Sequence, residues 1–274
     1  LNFGNSGTLA RLLLGILSTT PNININIKGD HSLNKRSMEK LINLLSKFGA
    51  TFLPINKYTF PLKMISSEMP VGIKYKAGVS AQLKSAVLLA GLNSYGNTII
   101  EEQIISRDHT ENLLMKNIQC IKIIKKKKKI IKVKGKSYLN PLNLNIGGDP
   151  SSAAFFAALT LLNKNSTLKI KNVGLNPTRT GFYDILKKQK VKINFKNIIK
   201  DNNEIRGDIL IKSSKLKPMN VPASLYPRTT DEYLILFVIA SLTNGMSTFK
   251  GISELKGKES SRAHEMKKIL NQIG

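Results

Sequence analysis

The sequence predicts an α/β (α+β) chain of repeated βαβαββ units arranged in two lobes, residues 1–140 and 141–274. Three observations carry that prediction. Arg36, Arg107, Arg179 and Arg262 recur at intervals of 71, 72 and 83 residues, and a near-constant period marks a repeated unit. Each opens a stretch with apolar residues at helical spacing, as Met38, Leu41, Leu44 and Leu45 follow Arg36. Ser, Thr or Asn lies just upstream of each, as helix starts prefer.

The other elements fall at matching places. A short alternating strand precedes each arginine helix, at 23–28, 98–102, 167–172 and 247–252. A more apolar helix precedes each strand, at 6–18, 81–92, 151–162 and 232–243. The last reads EYLILFVIASLT, apolar on nearly every side, which predicts burial on all sides. A strand pair follows each of the first three arginine helices, at 51–65, 121–134 and 191–212. The two middle copies are expected to be complete. The first is expected to lack its opening strand and the fourth its hairpin, so the chain is expected to be cut at both ends.

Composition narrows the functional class. A 274-residue chain with 41% hydrophobic residues can bury a core, which argues against a disordered polycation. The formal charge is +26, which by itself suggests nucleic acid. Only seven of the 43 basic residues are Arg, however, and Lys, Ile and Asn are all abundant. That pattern fits a codon bias toward A and T, and aromatics for base stacking are sparse at 6%. Where Lys is this common, a retained Arg marks a place that needs a planar two-pronged fork. The lysine run 125–129 reads as a solvated hairpin turn whose charges discourage edge pairing. With Cys120 as the single cysteine, no intrachain disulfide is possible, and a reducing, cytoplasmic setting is expected. No stretch reaches the roughly 18 apolar residues of a membrane span, and no leader is visible.

Candidate chemistry sits at helix starts. First-turn N–H groups and the positive dipole end favour phosphate or carboxylate, and Arg adds a bidentate contact. The competing reading pairs each Arg with a nearby carboxylate, such as Arg107 with Asp108 or Glu111. Ser80, Ala81 and Gln82 open another helix after Gly78, and Ser there either caps the helix or binds an anion. Gly7 lies in GNSGT, where small residues let backbone approach a ligand. Asp149 and Pro150 read as an N-cap and first helical residue. Asp231 precedes the most apolar helix and is either a base near low-dielectric material or an N-cap. Lys258, Glu259 and Arg262 place two cations around one carboxylate. The three histidines have no metal-ligand spacing, and Cys120 reads as core.

Taken in order, GNSGTLAR, GDHSLNKRSM, SAQLKSAVLLAGL, SRDHTENLL, GDPSSAAFFAAL, NPTRTG, TDEYLIL and ELKGKESSR resemble the 5-enolpyruvylshikimate-3-phosphate synthase family. SAQLKSAVLLAGL and NPTRTG look most like its class II, glyphosate-tolerant branch. The resemblance covers all 274 residues but only the middle of the family's length. It implies an inside-out α/β barrel of the enolpyruvyl transferase type, with helix amino ends facing a cleft between the lobes. It implies transfer of enolpyruvyl from phosphoenolpyruvate to the 5-hydroxyl of shikimate-3-phosphate, in aromatic amino-acid biosynthesis. No cofactor, metal, nucleic-acid or membrane partner is implied, and a monomer is expected.

Carried over by motif, Asp231, Glu259 and Lys258 would be catalytic. Gly7, Arg36, Gln82 and Arg262 would contact phosphoenolpyruvate. Ser80, Ala81, Gln82, Arg107, Asp231 and Lys258 would hold shikimate-3-phosphate. Further Lys, Ser and Arg ligands would lie in segments outside these residues, so the chain alone is expected to be inactive. Two departures stand out: Ser37 replaces the family's usual Pro, and Ser261 its usual Asp. The best-known class II members carry Ala where this chain has Gly7. The related UDP-N-acetylglucosamine enolpyruvyl transferase is the nearest alternative, but its general acid is a loop Cys and Cys120 lies in a different motif. A basic nucleic-acid-binding protein on the same repeat is a second alternative.

Overall fold

The computed structural model describes residues 1–117, 119–125, 128–253, 255 and 262–273. The chain divides into two compact units, Leu1–Leu142 and Asn143–Gly274.

The first unit opens with α1 (Gly7–Leu17), β1 (Asn24–Ile27), α2 (His31–Asn34), α3 (Glu39–Ser46), β2 (Thr51–Leu53) and β3 (Leu62–Ile65). The strands form an antiparallel sheet in the order β1-β3-β2. Leu1, Asn2 and Phe3 run parallel to the end of β1, with Phe3 N donating to Lys28 O at 2.9 Å. Part of an opening strand is therefore present in a copy where the sequence pattern shows none. The second copy follows as β4 (Lys74–Ala77), α4 (Ala81–Asn93), β5 (Asn97–Glu102), α5 (His109–Leu114), β6 (Ile121–Lys125) and β7 (Lys129–Lys134). Its sheet order is β4-β5-β7-β6, with β4 parallel to β5 and the remaining pairs antiparallel. This is one complete βαβαββ unit.

The second unit contains α6 (Pro150–Leu162), β8 (Thr167–Gly174), α7 (Gly181–Lys188), β9 (Ile193–Asp201) and β10 (Glu204–Lys212), with strand order β8-β10-β9. The opening strand of this copy, expected to be complete, shrinks to one parallel bridge between Gly148 and Val173. The fourth copy comprises β11 (Asn220–Val221), a 3-10 turn at Ala223–Leu225, α8 (Tyr226–Thr229), α9 (Tyr233–Ser241), β12 (Thr248–Phe249) and α10 (Arg262–Ile273). Its two strands are parallel. No helix among the described residues is long and apolar enough to cross a membrane.

Local sequence explains where the helices begin. Ser6 accepts a hydrogen bond from Leu9 N, Ser80 from Leu83 N and Asp149 from Ser151 N and Ser152 N. Each satisfies first-turn donors that would otherwise be unpaired. Pro150 occupies the first position of α6, where its missing N–H costs nothing. At α3 the cap residue is Met38, and Ser37 Oγ accepts from Glu39 N at 3.3 Å. The hydroxyl at this departure from the family's Pro thus takes up one of the first donors.

Each unit has its own apolar core. In the first, α4 is the central element: Leu83, Ala86, Val87, Leu88, Ala90 and Leu92 are all buried. Its small residues allow close helix packing. A Cβ on Gly15 of α1 would lie 2.6 Å from the Ala86 carbonyl oxygen. Gly15→Ala should therefore destabilise the fold by about 1–3 kcal/mol, seen as a lower urea midpoint with an unchanged m-value. In the second unit, Phe182 and Tyr183 stack edge to face at 5.1 Å, and Tyr233 packs among Tyr226, Phe237 and Phe249. Helix α9 departs from its expected full burial. Tyr233, Leu236 and Ile239 are buried, whereas Leu234, Ile235, Phe237 and Val238 are only partly covered and Leu242 is exposed. The neighbours α6 and α10 cover one stripe, so apolarity all round overstated the burial.

Candidate active site

In the first unit the sequence-predicted residues Gly7, Arg36 and Gln82 come together. Gly7 is buried at the first position of α1, an 11-residue helix. A Cβ there would sit 2.7 Å from Arg11 Nη1 and 3.1 Å from Arg36 Nη1. Two guanidinium groups thus crowd the glycine at a helix amino end. Arg36 lies between α2 and α3, and its Nη2 donates to Asn5 Oδ1 at 2.7 Å. Gln82, in the first turn of α4, is held at both ends of its amide. Its Oε1 accepts from Arg11 Nη1 at 3.0 Å, and its Nε2 donates to Thr8 Oγ1 at 2.7 Å. Arg11 also donates to Gly7 O at 3.0 Å.

Arg11 escaped sequence reasoning because it lies within α1 rather than at the periodic arginine position. The signal available was its place in GNSGTLAR, four residues after Gly7 and therefore on the same helix face. Ser80 and Ala81 stand at the cap and first position of α4, beside Gln82. Two helix amino ends, two guanidinium groups and a fixed amide make an anion-binding arrangement.

Arg107 lies between β5 and α5, and Glu111, one of the two carboxylates the competing reading offers it, is engaged elsewhere. Glu111 turns inward, where Lys84 Nζ and Lys129 Nζ lie 2.7 and 3.0 Å from its Oε1. Glu102 lies between the same two lysines, at 2.8 and 3.3 Å. Glu102 Oε1 also accepts from Ser106 N and Ser106 Oγ at 2.8 and 2.7 Å. Burial pushes the Glu102 carboxyl upward, but Lys84 and the bonds from Lys84 and Ser106 outweigh it and hold it below its ordinary value. Burial likewise pushes Lys129 downward, and the charges of Glu111 and Glu102 more than offset it. Lys129 corrects the expected solvated turn: it is 9% exposed and part of this ion cluster. Lys126 and Lys127 lie outside the described residues. Cys120 is buried, in keeping with a core role.

In the second unit Asp231 and Arg262 come together, with Arg262 Nη1 3.4 Å from Asp231 Oδ1. Glu232 stands at the N-cap position of α9, and Asp231 one residue before it. Both members of the pair are partly exposed, at 32% for the Asp231 side chain and 23% for Arg262. Lys258 and Glu259 lie outside the described residues. Arg179, the third periodic arginine, is taken up internally by Asp149 at 2.8 Å and Ser151 Oγ at 2.7 Å. Burial raises the Asp149 carboxyl, but hydrogen bonds from Ser151 and Ser152 and the charge of Arg179 bring it below its ordinary value. Ser151 Oγ in turn bonds the Glu232 carboxylate.

These contacts also expose the repeat. Arg36 with Asn5, Arg179 with Asp149 and Arg262 with Asp231 are pairs separated by 31, 30 and 31 residues. In three copies, the residue beside the first helix meets the arginine ahead of the second. In the copy containing Arg107, Ser80 caps that first helix.

The comparisons with known proteins agree over the whole chain. The family model described as EPSP synthase (3-phosphoshikimate 1-carboxyvinyltransferase) matches residues 1–274. A 3-phosphoshikimate 1-carboxyvinyltransferase of Zymomonas mobilis is 39% identical over 276 residues, covering 100% of this chain and 61% of the relative. One from Novosphingobium aromaticivorans is 39% identical over 277 residues, covering 100% of this chain and 63% of the relative. The chain therefore spans somewhat over three fifths of the length of these curated relatives. Among solved structures, an EPSP synthase from Acinetobacter baumannii superposes with a TM-score of 0.81 at 35% identity, covering 98% of this chain and 60% of that one. The enolpyruvyl transferase NikO from Streptomyces tendae, at 15% identity, matches 85% of this chain and 54% of that one with a TM-score of 0.65, which speaks to fold alone. The fold is thus the α/β enolpyruvyl transferase fold expected from the sequence, and the chain belongs to the EPSP synthase (3-phosphoshikimate 1-carboxyvinyltransferase) family.

Proposed function

We propose that the full-length protein transfers the enolpyruvyl group of phosphoenolpyruvate to the 5-hydroxyl of shikimate-3-phosphate and releases phosphate. The observation that carries this reading is the Gly7–Arg11–Arg36–Gln82 cluster at two helix amino ends. Both substrates are phosphorylated carboxylates, and such a cluster neutralises an anion without a metal. Arg36 and Gln82, with the Gly7 backbone, hold phosphoenolpyruvate. Ser80, Ala81, Gln82 and Arg107 hold shikimate-3-phosphate, and Arg262 adds a second fork for the donor.

Asp231 takes the proton of the 5-hydroxyl as that oxygen bonds to C2 of phosphoenolpyruvate. The methylene carbon gains a proton, giving a tetrahedral adduct. Loss of a methyl proton then expels phosphate by breaking the C2–O bond and restores the double bond. The family resemblance assigns the carbon-bound proton to Glu259, with Lys258 beside it. General acid–base help of this kind contributes about 10²–10⁴-fold to rate. The test is phosphate release by the full-length protein with both substrates present. Release that requires both supports the reading, and none with shikimate-3-phosphate as acceptor refutes it.

A further inference from the structure

The cluster of Lys84, Glu102, Glu111 and Lys129 has no place in the proton transfers above, and its burial needs an explanation. Lys84, Glu102 and Glu111 are at most 1% exposed. Each lysine lies within 3.3 Å of both glutamates, so the four alternate in charge around a closed square. Removing four charges from water is costly, and a well-packed apolar group of the same volume is often as stable or more so. The square is therefore poorly explained as a source of stability.

Its connections explain it better. The four residues come from α4, β5, α5 and β7, and so join four elements of one repeat. Glu102 Oε1 accepts three donors, and two of them belong to Ser106, the residue before Arg107. Lys84 lies two residues after Gln82 on α4. A second tie, between Ser85 Oγ and Thr110 Oγ1 at 2.7 Å, joins α4 to the start of α5. The square thus links the helix start bearing Ser80, Ala81 and Gln82 to the loop bearing Arg107.

We infer that this square is a positioning device, which sets Arg107 at a fixed distance and angle from the Ser80–Gln82 helix start and so sets affinity for the phosphorylated acceptor. The inference rests on the reading that Arg107 holds shikimate-3-phosphate. None of the four residues touches substrate. They act through Ser106 and the helix starts. A directional, multiply bonded anchor suits this task better than an apolar contact, because apolar contacts do not specify orientation.

Three variants of the full-length protein test it: Ser106→Ala, Glu102→Gln, and Glu102→Gln combined with Lys129→Met, which returns the square to neutrality. The expected result for Glu102→Gln is an approximately 10-fold rise in KM for shikimate-3-phosphate, with kcat and KM for phosphoenolpyruvate within about twofold. The double variant should regain thermal stability but keep the raised KM, because Ser106 still lacks its carboxylate. Ser106→Ala, which leaves all four charges in place, should show the same split more weakly. A structural role alone moves stability and leaves the two KM values unchanged or shifts them together. Either outcome in folded variants overturns the inference. Amide hydrogen exchange at Ser106 and Arg107 gives a readout independent of substrate. It should quicken in all three variants, and parental exchange rates would overturn the inference. Failure of the functional reading is distinguishable, because the parent protein then shows no turnover dependent on shikimate-3-phosphate while the exchange result still stands.

Discussion

Asp231→Ala in the full-length protein should lower kcat by about 10²–10⁴-fold while changing KM for either substrate far less. The expectation follows from the surroundings of the carboxylate. It stands just before α9, within 3.4 Å of the Arg262 guanidinium, and remains partly open to solvent. Its carboxylate oxygens, beside the Arg262 guanidinium, are hydrogen-bond acceptors suited to take a hydroxyl proton. On the proposed reaction, removing the carboxylate leaves the substrate anions their arginine and helix-end contacts but takes away the acceptor for the 5-hydroxyl proton. An unchanged kcat would remove Asp231 from the chemistry. Loss of affinity alone would make it a substrate anchor.

Arg36→Lys should raise KM for phosphoenolpyruvate by on the order of 10–100-fold, the worth of a charge-assisted hydrogen bond, although the charge is kept. One prong of the Arg36 fork is used on Asn5, at 2.7 Å from Nη2, while the Nη1 prong faces the Gly7 end of α1. A lysine ammonium is a single point and cannot reproduce both placements. Steady-state kinetics with saturating acceptor measure the effect, and a KM near the parent value would show that charge rather than fork geometry is what the site uses.

Much of the fold was legible because the signals were local and repeated. The capping residues Ser80 and Asp149 and the alternating strands report on neighbours within a few residues, and the Arg period of 71–83 residues repeats that local pattern along the chain. Apolar residues all round show that a helix tolerates burial, but how much is covered depends on which elements pack against it. The candidate site was partly legible for a similar reason. Gly7, Arg36 and Gln82 are distant in sequence, and family resemblance grouped them. Arg11 shares a helix face with Gly7 in the sequence, but its tie to Gln82 depends on how α1 packs against α4.

The lysines were hardest to read. With 36 of them in the chain, each one reads as solvated surface. Lys128, with its side chain 48% exposed beside Glu101, fits that view, and its neighbour Lys129 does not. The alternation of a strand turns Lys129 inward, where its length reaches Glu102 and Glu111. Lys84 is the fourth residue of a largely buried helix, where the facing glutamates make a charge tolerable. Neither partner is near in sequence, so composition could not separate these two from the rest.

The measurement that tests the proposed reaction most directly is an acceptor comparison. The full-length protein is incubated with phosphoenolpyruvate and either shikimate-3-phosphate or UDP-N-acetylglucosamine, and phosphate release and the mass of the product are followed together. The expected result is phosphate release only with shikimate-3-phosphate, matched by a product heavier by one enolpyruvyl group. Turnover only with the nucleotide sugar, or with neither acceptor, would contradict it.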